Sequence, residues 1–305
     1  MVENIESKNK KSTKPSLPLS WINSENESKI SAIKIGRKSL WLNGGNFQNV
    51  DSFLYSIKNI SSEKKVIIRG CNKLTSNKLV ENGFNKVLFA QEAIIELNKK
   101  IPIPDKLKRR IKSLLNRGKV KEIIHGDKNL QLFNEFLKLT VNWNKPQLQN
   151  LFIDKFNTNT RLFVYEIIPN NWEGALLISQ NSNEKMQGEQ FFRKKNGMNG
   201  VMDTLILGIS AILKTEGYSE FSLGEVPFVI DKNYHLFSKE NILKLIGRKI
   251  DFAYNYKGLY NFKNKFATRW DDIFICTNNK LKLINLYGIA KKSNLIALAL
   301  YKIFN

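Results

Sequence analysis

Between Arg161 and Leu223 the chain passes through three short apolar segments, a loop with two glycines, one long apolar segment and a further short one. The first three, Arg161–Ile167, Ala175–Ile178 and a run ending at Phe191–Arg193, have the length and the β-branched or aromatic content of strands. Val201 to Lys214 is long enough for a helix, and Phe221–Leu223 reads as the next strand. The order β, β, β, loop, α, β predicts a mixed α/β domain with a right-handed crossover. A similar alternation runs from Ile30 to Leu97. Ser39–Leu42, Val66–Arg69 and Val87–Leu97 read as strands, with Phe53–Ile57 and Lys73–Glu81 as helical pieces. Leu130, Phe133, Phe136 and Leu137 set a helical period for the stretch to Trp143. No sequence repeat is visible, yet the two halves suit divergent copies of one fold.

Residues 98–122 interrupt this alternation. Ten basic residues stand there against two acids, Asp105 and Glu122. Pro102 and Pro104 mark a start and Asp105 is a candidate cap, so a basic linker helix is expected over 98–124. Leu107, Ile111, Leu114 and Leu115 form a narrow apolar stripe that would dock it. Lys106, Arg109, Arg110, Lys112 and Arg117 would then project outward, and arginine pairs with phosphate through two parallel hydrogen bonds. The expected organisation is a basic arm at 1–18, a first domain at 19–97, this helix, and a second domain at 125–305.

The whole chain carries a net charge of +22, from 49 basic and 27 acidic residues. Only nine of the basic residues are arginine, so much of the excess is a lysine-rich compositional bias. What remains favours polyanionic partners, nucleic acid or anionic lipid. Residues 1–18 have almost no apolar content and read as a disordered arm, not a secretory signal. No uncharged apolar run reaches about 18 residues, so no transmembrane segment is expected. Leu281 to Phe304, interrupted by Lys291 and Lys292, reads as an amphipathic helix that closes the fold or lies on a membrane surface. Two cysteines, Cys71 and Cys276, make no disulfide framework and suit a reducing, cytoplasmic setting. With two histidines and no ligand spacing, no metal and no bound cofactor are expected.

Three segments carry candidate chemistry. Arg193 leads through Gly197 and Gly200 into Asp203, a basic strand end running into a helix N-terminus that suits an anion or a carbonyl oxygen. Gly224 and Glu225 stand at an irregular strand end of the kind that faces clefts in α/β domains. Lys263, Lys265, Arg269 and Trp270 lie in a stretch where lysines alternate with aromatics.

In register, Asn199-Gly200-Val201-Met202-Asp203, Glu216-Gly217-Tyr218, Ser222-Leu223-Gly224 and Leu259–Trp270 resemble the cytosolic C-terminal domain of the phosphatidylglycerol lysyltransferases. Ala90-Gln-Glu92-Ala93 and the helix from Arg109 to Arg117 are similar to the same family's central region. The resemblance spans roughly residues 85–275. It implies tandem GNAT-like acyltransferase folds joined by a basic helix. It also implies aminoacyl-tRNA as co-substrate and transfer of the aminoacyl group to a lipid hydroxyl, such as that of phosphatidylglycerol. On this basis Asp203, Arg193 and Glu225 are the expected catalytic residues. Gly197, Gly200, Gly224, Lys263, Lys265, Arg269 and Trp270 are expected to bind substrate. Lys106, Arg109, Arg110, Lys112 and Arg117 are expected to bind tRNA. The protein would then work in the cytoplasm, peripherally on the inner face of the plasma membrane.

Two departures stand out. Lys195 and Met198 replace the loop prolines of the family, and Thr268 replaces the proline of its Lys-Phe-x-Pro-Arg-Trp motif. The same fold with a peptide, protein or small-molecule acceptor is one alternative, and a non-catalytic RNA- or membrane-binding protein another. A coenzyme A acyltransferase is disfavoured, since the spacing from Arg193 to Gly197 is one residue too long.

Overall fold

A computed structural model describes residues 17–21, 30–45, 47, 50–229 and 255–304. Most of the 1–18 arm therefore lies outside the described residues. The first half contains β1 (Ser31–Gly36), β2 (Ser39–Gly44), α1 (Val50–Ser61), β3 (Lys65–Cys71), α2 (Lys73–Glu81) and β4 (Asn85–Glu96). Then come α3 (Asp105–Leu115), β5 (Lys119–Ile123) and α4 (Asp127–Lys138). The second half contains β6 (Thr160–Ile168), β7 (Asn171–Gln180), β8 (Lys185–Arg193), α5 (Val201–Thr215) and β9 (Glu220–Pro227). It ends with α6 (Tyr256–Asn264), β10 (Arg269–Thr277), α7 (Leu283–Lys292) and α8 (Leu295–Phe304).

The ten strands among the described residues form one sheet, in the order β1-β2-β3-β10-β4-β9-β8-β7-β6-β5. Its pairing pattern exposes a pseudo-twofold relation between the halves. β1 and β2 pair antiparallel, and β2 and β3 parallel across α1. β7 and β8 likewise pair antiparallel, and β8 and β9 parallel across α5. The last strand of each half then crosses over: β4 pairs with β9, and β10 with β3. β4 and β10 pair with each other in the middle of the sheet. Exchange of the last strands makes the sheet continuous through both halves, with β4 contributing Ala93 and Ile95 to the second half's core and β10 contributing Cys276 to the first half's. The expected tandem α/β architecture is thus present, joined by paired strands as well as by a helix.

The basic segment differs from its expected form. Only Asp105–Leu115 is helical, and Lys119–Ile123 is the edge strand β5. Pro104 holds the N-cap position with no side-chain cap, and Asp105 instead pairs with Lys108 at 2.8 Å. Leu107, Ile111 and Leu114 are buried against Leu205 and Ile209 of α5, whereas Leu115 is exposed and takes no part in docking. The stretch from Leu281 to Phe304 is likewise two helices, separated where Asn294 takes a left-handed φ of 61°.

Candidate functional site

The geometry of the site begins where β8 and β9 part. Their parallel pairing ends at Gln187↔Ser222. Beyond it β8 follows β7 to Arg193, and β9 follows β4 to Pro227. Gly224 sits at the fork with φ +82°, and a Cβ there would lie 3.4 Å from the Gly188 carbonyl oxygen and 3.5 Å from Lys263 Nζ. Both are ordinary contacts, so it is the left-handed backbone, which glycine takes at no steric cost, that calls for glycine here. The fork opens into a cavity of about 1060 Å³. Arg69, Glu189, Arg193, Gly224, Glu225 and Lys263 contribute its polar lining, while much of its wall comes from apolar residues of α7 and α8.

Several buried charges converge at the fork. Arg69 of β3 forms an ion pair with Glu225. Lys263 is 4% exposed and donates to the Glu225 carbonyl oxygen at 2.9 Å. Burial pushes its pKa down to about 7, although the carboxylates of Glu225 and Glu92 pull the other way. Glu225 Oε2 is buried and has no hydrogen-bond partner among the described residues. Behind it, Glu92 accepts from Lys185 Nζ at 2.9 Å and from Ser222 Oγ at 2.5 Å. Glu189 accepts from Ser179 Oγ at 2.6 Å and from the Ile153 amide at 3.0 Å. Burial outweighs those bonds and raises the Glu189 pKa.

The expected site residues fall into three places. Arg193, Gly224, Glu225 and Lys263 line the cavity. Asp203, Lys265, Gly197 and Gly200 gather at the N-terminus of α5, outside that lining. There Asp203 is ion-paired with Lys265, whose ammonium also sits 4.6 Å from the Phe262 ring centroid. The loop before α5 is not an open anion cradle. The Met198 amide donates to Glu173 Oε2 at 3.4 Å, and Lys194 Nζ pairs with Glu173 at 2.7 Å. Arg269 and Trp270 occupy a third place, at the start of β10. Arg269 is held by Glu96, Glu220 and Asp271, and Trp270 stacks on Tyr260 at 4.6 Å. Lys106, Arg109, Arg110, Lys112 and Arg117 are all exposed on or just after α3.

Arg69, Glu92, Lys185 and Glu189 are not among the site residues expected from the sequence. Their signal was a charged residue inside or beside an apolar strand, as in Val66-Ile-Ile-Arg69. Such a residue is rarely buried without a partner.

A family model for the C-terminal domain of phosphatidylglycerol lysyltransferase matches residues 63–277, well over half of the chain. The chain belongs to this family. No curated protein sequence matches it. Among solved structures, L-PGS from Bacillus licheniformis is similar with a TM-score of 0.68 at 18% identity, over 86% of this chain and 84% of that one. A C-terminal DUF2156 domain from Agrobacterium fabrum gives 0.66 at 13% identity, over 86% and 84%. FemX gives 0.52 at 11% identity, over 81% and 83%. At these identities the likeness is one of fold. The lysyltransferase-family match runs from just before β3 to the end of β10 and includes the fork, α3 and α6, but not α7 or α8.

Proposed function

We propose that this chain transfers an aminoacyl group from a charged tRNA to a lipid hydroxyl, such as that of phosphatidylglycerol. Glu225 Oε2 carries the reading: it is a buried carboxylate oxygen at the cavity with no hydrogen-bond partner among the described residues, beside a lysine whose pKa lies near 7. A buried acceptor of this kind is costly unless something satisfies it. An acceptor hydroxyl or an aminoacyl ammonium has the donor it lacks.

An aminoacyl ester is already activated, so the site need only align the partners and move one proton. The acceptor oxygen attacks the ester carbonyl carbon, a new C–O bond forms, and the bond to the ribose oxygen breaks. The proton leaves the acceptor hydroxyl and ends on the ribose hydroxyl. Lys263 in its neutral form is suited to carry it. Arg193 at the cavity suits a phosphodiester, and the apolar wall suits acyl chains. The exposed cations of α3 suit the tRNA backbone.

The test is incubation with radiolabelled aminoacyl-tRNAs and phosphatidylglycerol liposomes, followed by organic extraction. Label in the lipid phase is expected, and Glu225→Gln should abolish it. Asp203→Ala tests the second carboxylate separately: it lies outside the cavity lining and is ion-paired with Lys265, so loss of transfer with tRNA affinity nearly intact would extend the site to the N-terminus of α5. Label in an aqueous acceptor, or no consumption beyond spontaneous hydrolysis, would overturn the reading.

A further inference from the structure

The last two helices lie outside the part of the chain that matches the family model, and they are unlike the rest of the surface. Of the fifteen large apolar side chains left exposed among the described residues, six belong to α7 and α8. Leu283, Ile284 and Tyr287 are 60%, 64% and 55% exposed, and Leu300, Ile303 and Phe304 are 50%, 57% and 79%. The spacings 284/287 and 300/303/304 put each set on one face of its helix. α7 is seated firmly beneath this face: a Cβ on Gly288 would come within 2.5 Å of the Ile35 carbonyl oxygen of β1. The exposed side chains of α7 are thus presented by an anchored element, whereas α8 packs on α7 and has no buried residue of its own.

We propose that the α7–α8 hairpin is the surface by which this chain lies on an anionic lipid bilayer, with its apolar residues entering the interface. Charge selects this occupant. Lys280, Lys282, Lys291, Lys292 and Lys302 are all exposed around the apolar residues, and no Asp or Glu occurs from Ile273 to Asn305. Apolar residues ringed by snorkelling lysines match the boundary between acyl chains and anionic headgroups. A second copy docked by a twofold would bring the same lysines face to face, a costly juxtaposition. A nucleic acid would leave the apolar residues unused.

The same hairpin walls the cavity, through Leu286, Tyr287, Ala290, Leu295 and Ile296. Leu283, Tyr287 and Leu300 belong both to the exposed set and to the cavity wall, so docking on this face would place the cavity beside the bilayer and give a lipid a short path to the fork. This purpose rests on the proposed lipid acceptor, whereas the docking itself does not.

The test is flotation of the full chain with vesicles of phosphatidylglycerol and phosphatidylcholine, comparing the parent with the triple variant Ile284→Ser, Ile303→Ser, Phe304→Ser. None of these three residues lines the cavity. The variant should keep its thermal midpoint and lose at least tenfold in vesicle affinity. The parent should keep part of its binding in high salt, since insertion is not screened. Equal flotation of parent and variant, or complete loss of parent binding in high salt, would overturn the proposal. So would a lipid-free dimer of the parent that the substitutions dissolve. Transfer to lipid dispersed in detergent separates this idea from the proposed reaction. A parent that binds vesicles but transfers in neither format sinks the reaction alone. A variant that transfers normally in detergent but poorly on vesicles supports both.

Discussion

Gly200 lies directly against Arg110. A Cβ on Gly200 would approach within 2.6 Å of Arg110 Cδ and 3.3 Å of Leu114 Cδ1, and Gly200 itself has φ +94°. The N-terminus of α5 and the basic helix thus touch through the one residue type that permits both the turn and the approach. The candidate tRNA surface and the loop leading to Asp203 are one packed unit, although about ninety residues separate them in sequence.

Gly200→Ala should therefore destabilise the fold by about 1–3 kcal/mol, from the left-handed backbone and the crowding of Arg110. Adding Arg110→Ala should recover the crowding part and leave the backbone part. Urea unfolding of the two single variants and the double variant reads both. Strict additivity would mean that the contact carries no energy.

Lys263 should give stability a characteristic pH dependence. Its folded pKa of about 7 lies below the ordinary 10.5, so between those values the unfolded chain binds the extra proton. Its contribution to stability then rises with pH across that window, and below about 7 the cost of burying the charge is present in full. Subtracting the urea midpoints of Lys263→Met from those of the parent should give a difference that grows from pH 7 to 10. A flat difference would contradict the shifted pKa. Transfer should also rise with pH through about 7 in the parent, as the amine loses its proton.

Arg69→Met removes the cation from a buried pair and leaves the Glu225 charge behind. The expected loss is about 3–5 kcal/mol in thermal or urea unfolding. Combining it with Glu225→Gln should restore much of that stability, because the uncompensated charge is gone, without restoring transfer. If Arg69→Met alone is neutral, water already serves Glu225 and the pair is not structural.

The basic helix should bind by counterion release. Replacing Lys106, Arg109 and Lys112 with alanine should weaken tRNA binding and flatten its logarithmic salt slope by about two to three. Folding should change little, because these side chains are exposed while Leu107, Ile111 and Leu114 hold the helix. An unchanged slope would place the tRNA elsewhere.

Local pattern sufficed for most elements because it acts within one turn or one strand. α2 begins after Asn72, whose side chain caps the Thr75 amide, and spans Lys73–Glu81 as the pattern predicts. Val87–Leu97 and Val201–Lys214 differ from β4 and α5 by a residue or two. β5 does not stand out in the sequence because the charge of Lys-Val-Lys-Glu-Ile masks its alternation of exposed and covered positions. The amphipathic tail reads as one helix because nothing in Ser293-Asn294 demands a break until tertiary packing turns the chain there.

The sequence alone determined the alternation of strands and helices, the basic helix with its buried stripe, and the family. It also pointed to Arg193, Gly224, Glu225 and Lys263, which do share one cavity. Only the tertiary structure decided that each half sends its last strand into the other, because pairing of distant strands is a property of the whole sheet. Only it could bring Arg69 to Glu225 across 156 positions and set Lys263 beside them. Burial turns those ordinary charged residues into a candidate site, since desolvation is what moves a lysine to about 7 and makes costly a carboxylate oxygen that has no donor among the described residues. It likewise drew Asp203 and Arg269 away into ion pairs, which no short-range pattern records.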